Sequence, residues 1–150
     1  MKENEEQNTI PVLAVRQPWA SWIALNLKPL EVRSQNTQKR GEVAIYASRT
    51  KPKESELELY FKYFQNRLLP IPPVLQGQII GMAHLVASYP VGCFESFRTL
   101  AVNHHNPLDY YRDGLYFWEF EKVQQVKPVE YKMNGSIVWG KVDRKLLKVV

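Results

Sequence analysis

VLAVRQPWASWIALNLKPLEVRS, residues 12–34, is the stretch on which the fold reading turns. VLAVR (12–16) alternates enough to be a strand. Pro18 suits the first turn of a helix, where its missing N–H costs nothing. Trp19, Trp22, Ile23 and Asn26 then follow at helical spacing, and Asn26 is a natural stop because it tolerates the left-handed conformation. Lys28-Pro29 makes a tight turn, and LEVRS (30–34) resumes an extended pattern. The run reads strand, short helix, turn, strand.

Working outward, SQNTQKRG (34–41) is a polar connection and GEVAIYASR (41–49) a strand with Val43, Ile45 and Ala47 on one face. Residues 54–68 carry a 3.6-period stripe of Leu57, Tyr60, Phe61, Phe64 and Leu68, which predicts a helix. Prolines in LPIPPVLQG break it. QIIGMAHLVASYPV (78–91) reads as a strand with Gly81 as a bulge. Residues 93–114 read as a short helix and an irregular loop. LYFWEFEKV (115–123), VKPVEYK (126–132) and SIVWGKV (136–142) read as three further strands, with Asn134-Gly135 turning a hairpin between the last two. The sum is an α+β domain around a curled sheet or small barrel. Residues 1–9 read as a disordered polar tail, and residues 10–150 as one domain.

The chain has 150 residues, 45% apolar and 23% charged, enough for one core. No apolar run approaches the ~20 residues of a membrane helix. Cys93 is the only cysteine, which excludes an internal disulfide and points to a reducing cytoplasm. The formal net charge is +5. Between Arg16 and Lys53 eight cations (Arg16, Lys28, Arg33, Lys39, Arg40, Arg49, Lys51, Lys53) face only Glu31 and Glu42, a local +6. Gathered on one face, that charge would attract a polyanion.

Within LEVRS, alternation puts Glu31 and Arg33 on one side, with Lys28 reaching in from the turn. From the residues alone, two readings stand. One is a solvated face with an ion pair worth at most ~1 kcal/mol. The other is the floor of a concave site, where Lys28 and Arg33 hold phosphates and Glu31 accepts from a base amine or orients a cation. Gln17 stands at the strand-to-helix junction with a donor and an acceptor. Trp19 either stacks on a base or joins the core with Trp22. Ser48 is placed to donate to a phosphate, Tyr46 to stack or pack, and Arg49, Lys51 and Lys53 to line a rim, with Arg16 and Lys39-Arg40 in the same class. His104 and His105 lack convergent acidic or thiol partners, so no metal is expected. Nothing calls for a cofactor.

R-Q-P-W-A-S at 16–21, N-x-K-x-x-E-x-R at 26–33 and G-x-V-x-I-x-A-S at 41–48 together resemble the ASCH domain, named for activating signal cointegrator 1 homology. Its hallmark is G-x-K-x-x-E-x-R after the first helix; Asn26 stands in place of the glycine. G-Q-I-I-G-M-A-H-L at 77–85, Y-F-W-E-F at 116–120 and G-S-I-V-W-G-K-V at 135–142 extend the resemblance from about Ile10 to Asp143. It implies a PUA-like fold, a small mixed β-barrel with flanking helices. It also implies RNA or DNA binding by a non-enzymatic domain, in a cleft floored by Lys28, Glu31 and Arg33; a monomer is expected, although the sequence does not fix the oligomeric state. Another branch of the family comprises small amidohydrolases acting on N4-acetylcytidine, and ribonuclease activity is proposed for some members. In an enzyme of that kind Lys28 and Glu31 would be the catalytic pair. The amidohydrolases resemble one another in a Thr three residues after the Lys; here that position is Glu31.

Overall fold

The computed structural model describes residues 8–133 and 139–150. The first strand, β1 (Thr9–Val15), leads through a cis Gln17–Pro18 peptide into α1 (Trp19–Ala24). All six α1 residues are buried. Asn26 ends the turn with φ of 61°, the left-handed stop expected of it. Then follow β2 (Leu30–Arg33), β3 (Gly41–Ala47), α2 (Glu54–Asn66) and β4 (Gln78–Pro90). Two short helices, α3 (Phe94–Thr99) and α4 (Ala101–His104), and a 3-10 turn at Leu108–Tyr110 precede β5 (Tyr116–Glu130) and β6 (Trp139–Asp143).

The six strands form one sheet in the order β2-β5-β4-β3-β1-β6. β1 and β3 run parallel and the other described pairs antiparallel. This is the α+β class expected. The sheet is not closed by hydrogen bonds: β2 and β6 are its two edges, so the described strands are an open sheet rather than a closed barrel. The segments 115–123 and 126–132 are one continuous strand, not two. Register shifts against β4 absorb the irregularity that reads as a break in the sequence. The Asn134-Gly135 hairpin lies outside the described residues, as do residues 1–7. The described part of the last strand pairs with β1, Leu13 opposite Trp139 and Thr9 opposite Asp143.

One face of the sheet packs on α1 and α2. Leu13, Val15, Trp22, Ile23, Ile45, Tyr60, Phe64 and Leu85 form that core. Gly81 lets α1 come close: a Cβ there would lie 3.0 Å from the Ala24 Cβ. The ladder skips Ile80 beside it, so the expected bulge is present. The opposite face buries Val12, Ala44, Tyr46, Ile79, Met82 and Val142. Tyr46 therefore packs, against Tyr131 at 5.6 Å. A third cluster, including Leu30, Val91, Phe97 and Phe117, seats α3 and α4 against β2 and β5. Among the described residues no helix is long and apolar enough to cross a membrane.

Candidate functional site

β1 and β2 end side by side, and the polar side chains of β2 project into the gap. Glu31 and Arg33 emerge on the same side, as the alternation predicts. The Arg33 Nε donates to Glu31 Oε2 at 3.1 Å, and Nη2 donates to the Ala14 carbonyl at 2.7 Å. The guanidinium lies 5.3 Å from the centre of the Trp118 ring, a cation–π placement. It is held on three sides and remains part-exposed. In front of it opens a cleft of about 350 Å³. Trp19 and Tyr110 both line it, their rings packed on each other with centres 6.1 Å apart and a 54° tilt; Trp19 itself is buried in the core. Arg16 and Arg112 add two more guanidiniums, and Ser34 and Asn106 add small polar groups.

Glu31 is 6% exposed and its carboxylate is nearly saturated. Oε1 accepts the Val32 N–H at 3.2 Å and faces the Lys28 ammonium at 3.4 Å, while Oε2 takes Arg33. A carboxylate offers about four acceptor sites, so Glu31 orients cations and has little left for a base amine. Lys28 departs from the expected phosphate contact. It is fully buried, and its ammonium donates to the carbonyls of Leu30 and His104 as well as facing Glu31. Burial pulls its pKa down to about 8, against the opposing pull of Glu31. The turn at Lys28-Pro29 directs the side chain under the cleft floor, where it ties α4 to β2.

Gln17 is likewise fully buried. Its Nε2 donates to Ser21 Oγ (2.8 Å) and the Leu75 carbonyl (2.7 Å), and its Oε1 accepts the Ser21 N–H (2.9 Å). It latches the 67–77 segment to the start of α1 and does not face the cleft. Ser48 bonds Thr50 within its own turn. The exposed Arg49 lies 4.0 Å from Glu130, and Lys51 is exposed; neither lines the cleft. Lys53 does reach its rim, with Nζ 5.4 Å from the Tyr110 ring centre.

Sequence reading missed Ser34, Asn106, Tyr110, Arg112 and Glu56. The four cleft residues sit in connections, and a long irregular connection such as 105–115 is itself a functional signal. Glu56 is buried beneath the cleft wall. It accepts from Arg16 (3.0 Å), from the Lys53 N–H (2.9 Å) and from the Tyr110 hydroxyl (2.6 Å). Burial, and then Glu56 itself, push the Tyr110 hydroxyl up to about 12, so it stays a donor. His104 is buried with Nδ1 accepting the Asn106 N–H at 2.9 Å. Its proton therefore sits on Nε2 and is donated to the Phe97 carbonyl at 2.7 Å. Burial lowers its pKa to about 4. His105 stacks on Trp22 at 4.7 Å and contacts the Leu27 carbonyl. Both histidines hold the connection that carries Asn106 and Tyr110 in place.

No family model and no curated protein matches the sequence. Solved structures do match the fold. The ASCH protein from Zymomonas mobilis superposes with a TM-score of 0.55 at 16% identity, over 80% of this chain and 72% of that one. Structures of two point mutants of that bacterial protein give TM-scores of 0.54 and 0.51, each at 16% identity. The chain has the fold of the ASCH domain.

Proposed function

We propose that this chain is a nucleic-acid-binding member of the ASCH family, with a PUA-like fold, that holds one nucleotide of RNA or DNA in the Arg33 cleft. One observation carries the reading: a guanidinium locked by Glu31, the Ala14 carbonyl and the Trp118 face opens onto a cavity that Tyr110, Arg112 and Asn106 also line. A preorganised arginine suits a phosphate or a base edge, and the part-exposed Tyr110 ring beside it offers a base some apolar contact. The volume, about 350 Å³, falls within the range of small-ligand pockets. Arg16 and Arg112 supply further attraction at the rim. Lys28 and Glu31 act as the brace that aims Arg33. A catalytic role for Lys28 draws no support from its placement, because it has no surface in the cleft.

The test is a titration by fluorescence anisotropy with single-stranded and duplex RNA and DNA at two salt concentrations. Arg33→Ala and Arg112→Ala should each weaken binding at least tenfold, about 1.4 kcal/mol. Each should also flatten the log–log salt dependence by roughly 0.7–0.9. Equal affinity of wild type and both variants for every probe would sink the reading.

A further inference from the structure

A second groove, of about 360 Å³, lies beside the cleft along the same seam between the two ends of the sheet. Thr9–Pro11 of β1 and Trp139 and Lys141 of β6 line it, and Lys39 closes it from the 34–40 connection. Lys39 and Lys141 are both exposed. Among the described residues neither ammonium is ion-paired. On the adjoining elements, Asp143 shares a strand face with Lys141 and caps the Lys145 N–H, and Glu42 holds Arg144.

The groove is joined to the cleft by a continuous stack. The Lys39 Nζ lies 4.9 Å from the centre of the Trp139 ring. Trp139 stacks on Trp118 at 6.0 Å with 8° between their planes. Trp118 in turn carries Arg33, the cation at the cleft floor. β1 spans the same interval, contributing Pro11 to the groove and Ala14 to the cleft.

We propose that this groove is a second subsite for the same ligand, binding a backbone phosphate of a single-stranded nucleic acid whose neighbouring nucleotide occupies the cleft. The proposal rests on reading the cleft as a nucleotide site. Trp139 already has a ring on one side and an ammonium over it, so the groove offers charge rather than a stacking platform. Phosphate is the part of the strand that two exposed ammoniums recognise. A single strand is specified because a nucleotide can enter the walled cleft only when unpaired and unstacked, which costs a duplex a few kcal/mol.

The experiment compares uridine 5′-monophosphate with uridylate di-, tetra- and octanucleotides, each titrated at two salt concentrations. The double variant Lys39→Ala/Lys141→Ala should bind the mononucleotide as wild type does and the octanucleotide about tenfold more weakly. Its salt slope for the octanucleotide should fall by about 0.7, the contribution of the one phosphate no longer neutralised. Lys62→Ala/Lys127→Ala removes the same charge elsewhere and should leave octanucleotide affinity within about twofold. Unchanged octanucleotide binding in the groove variant overturns the subsite, as does an equal weakening in the charge-matched control. If Arg33→Ala also leaves every affinity unchanged, the cleft reading fails with it. If Arg33→Ala weakens binding while the groove variant does not, the subsite alone fails.

Discussion

Lys28 gives its ammonium to two carbonyls and a carboxylate in a place with no solvent exposure. Its folded pKa of about 8 lies below the ordinary lysine value of 10.5. Between those values the unfolded chain binds more protons than the folded one, so stability rises with pH across that window. The cost of the buried charge is complete below pH 8 and amounts to roughly 3 kcal/mol over the full interval. Urea unfolding at about pH 7 and pH 9.5 should show this rise in wild type and a flatter profile in Lys28→Met. Equal slopes would remove Lys28 as the cause. Nearer pH 10 the trend reverses, because Tyr60 and Tyr110 are pushed up to about 12 and ionise more readily once unfolded. His104 works at the acid side. Its folded pKa of about 4 lies below 6.5, and His105 is lowered too. Stability is therefore intact above pH 6.5 and is lost as pH falls toward 4, as the unfolded histidines take up protons first. The part between pH 6.5 and 5 precedes ordinary carboxylate titration and is the portion to measure; a flat profile there would count against the neutral His104 assignment.

At the scale of elements, α2 shows how a correct helix can have its buried face shifted from the apolar stripe, with Tyr60 and Phe64 buried as expected. The sequence stripe runs through Leu57, Tyr60, Phe61, Phe64 and Leu68. The buried residues of α2 are Glu56, Tyr60 and Phe64. Phe61 is part-exposed, and Leu68 lies beyond the helix with φ of 54° and is almost wholly exposed. A carboxylate takes the i, i+4, i+8 face because it has three donors to satisfy, and no hydropathy pattern announces that. Glu56→Gln keeps the shape and removes the charge that holds Arg16 and Tyr110. It should cost about 1–3 kcal/mol of stability and weaken nucleotide binding, with both changes read by denaturant unfolding and anisotropy. Retained affinity would deny Glu56 its part in shaping the cleft. Gln17→Ala has the opposite profile. It breaks three hydrogen bonds, two with Ser21 of α1 and one to the Leu75 carbonyl of the 67–77 segment, and should cost about 2–3 kcal/mol. Folded Gln17→Ala protein should bind nucleotide normally, because Gln17 does not face the cleft.

At the scale of the whole molecule, the sheet has open edges, yet its two ends meet through side chains. Trp118 from β5 stacks on Trp139 from β6, and Arg33 from β2 bonds the Ala14 carbonyl of β1. Both candidate grooves lie on this seam. Trp118 also donates its indole N–H to the Gln35 carbonyl at 2.9 Å, anchoring the 34–40 connection. Trp118→Phe should therefore lose about 1–2 kcal/mol and loosen Arg33, reducing octanucleotide affinity more than mononucleotide affinity. Calorimetry and the same titrations check this; an unchanged melting temperature with unchanged affinity would make the seam irrelevant to binding.

The sequence by itself determined the strand, short helix and strand of residues 12–34, the helix beginning at Glu54, the bulge at Gly81 and the shared side of Glu31 and Arg33. These are local matters: side-chain periodicity, the left-handed tolerance of Asn26 and the breaking power of prolines decide them within a few residues. Only the tertiary structure decided that Lys28 turns inward, that Gln17 is a latch, that β6 joins β1, and that Tyr110 and Arg112 line the same cleft as Arg33. Those outcomes depend on which distant carbonyls and carboxylates surround a polar group after folding. A buried ammonium or amide goes where its hydrogen bonds are met, and the partners here, His104 for Lys28 and Leu75 for Gln17, are supplied from far along the chain.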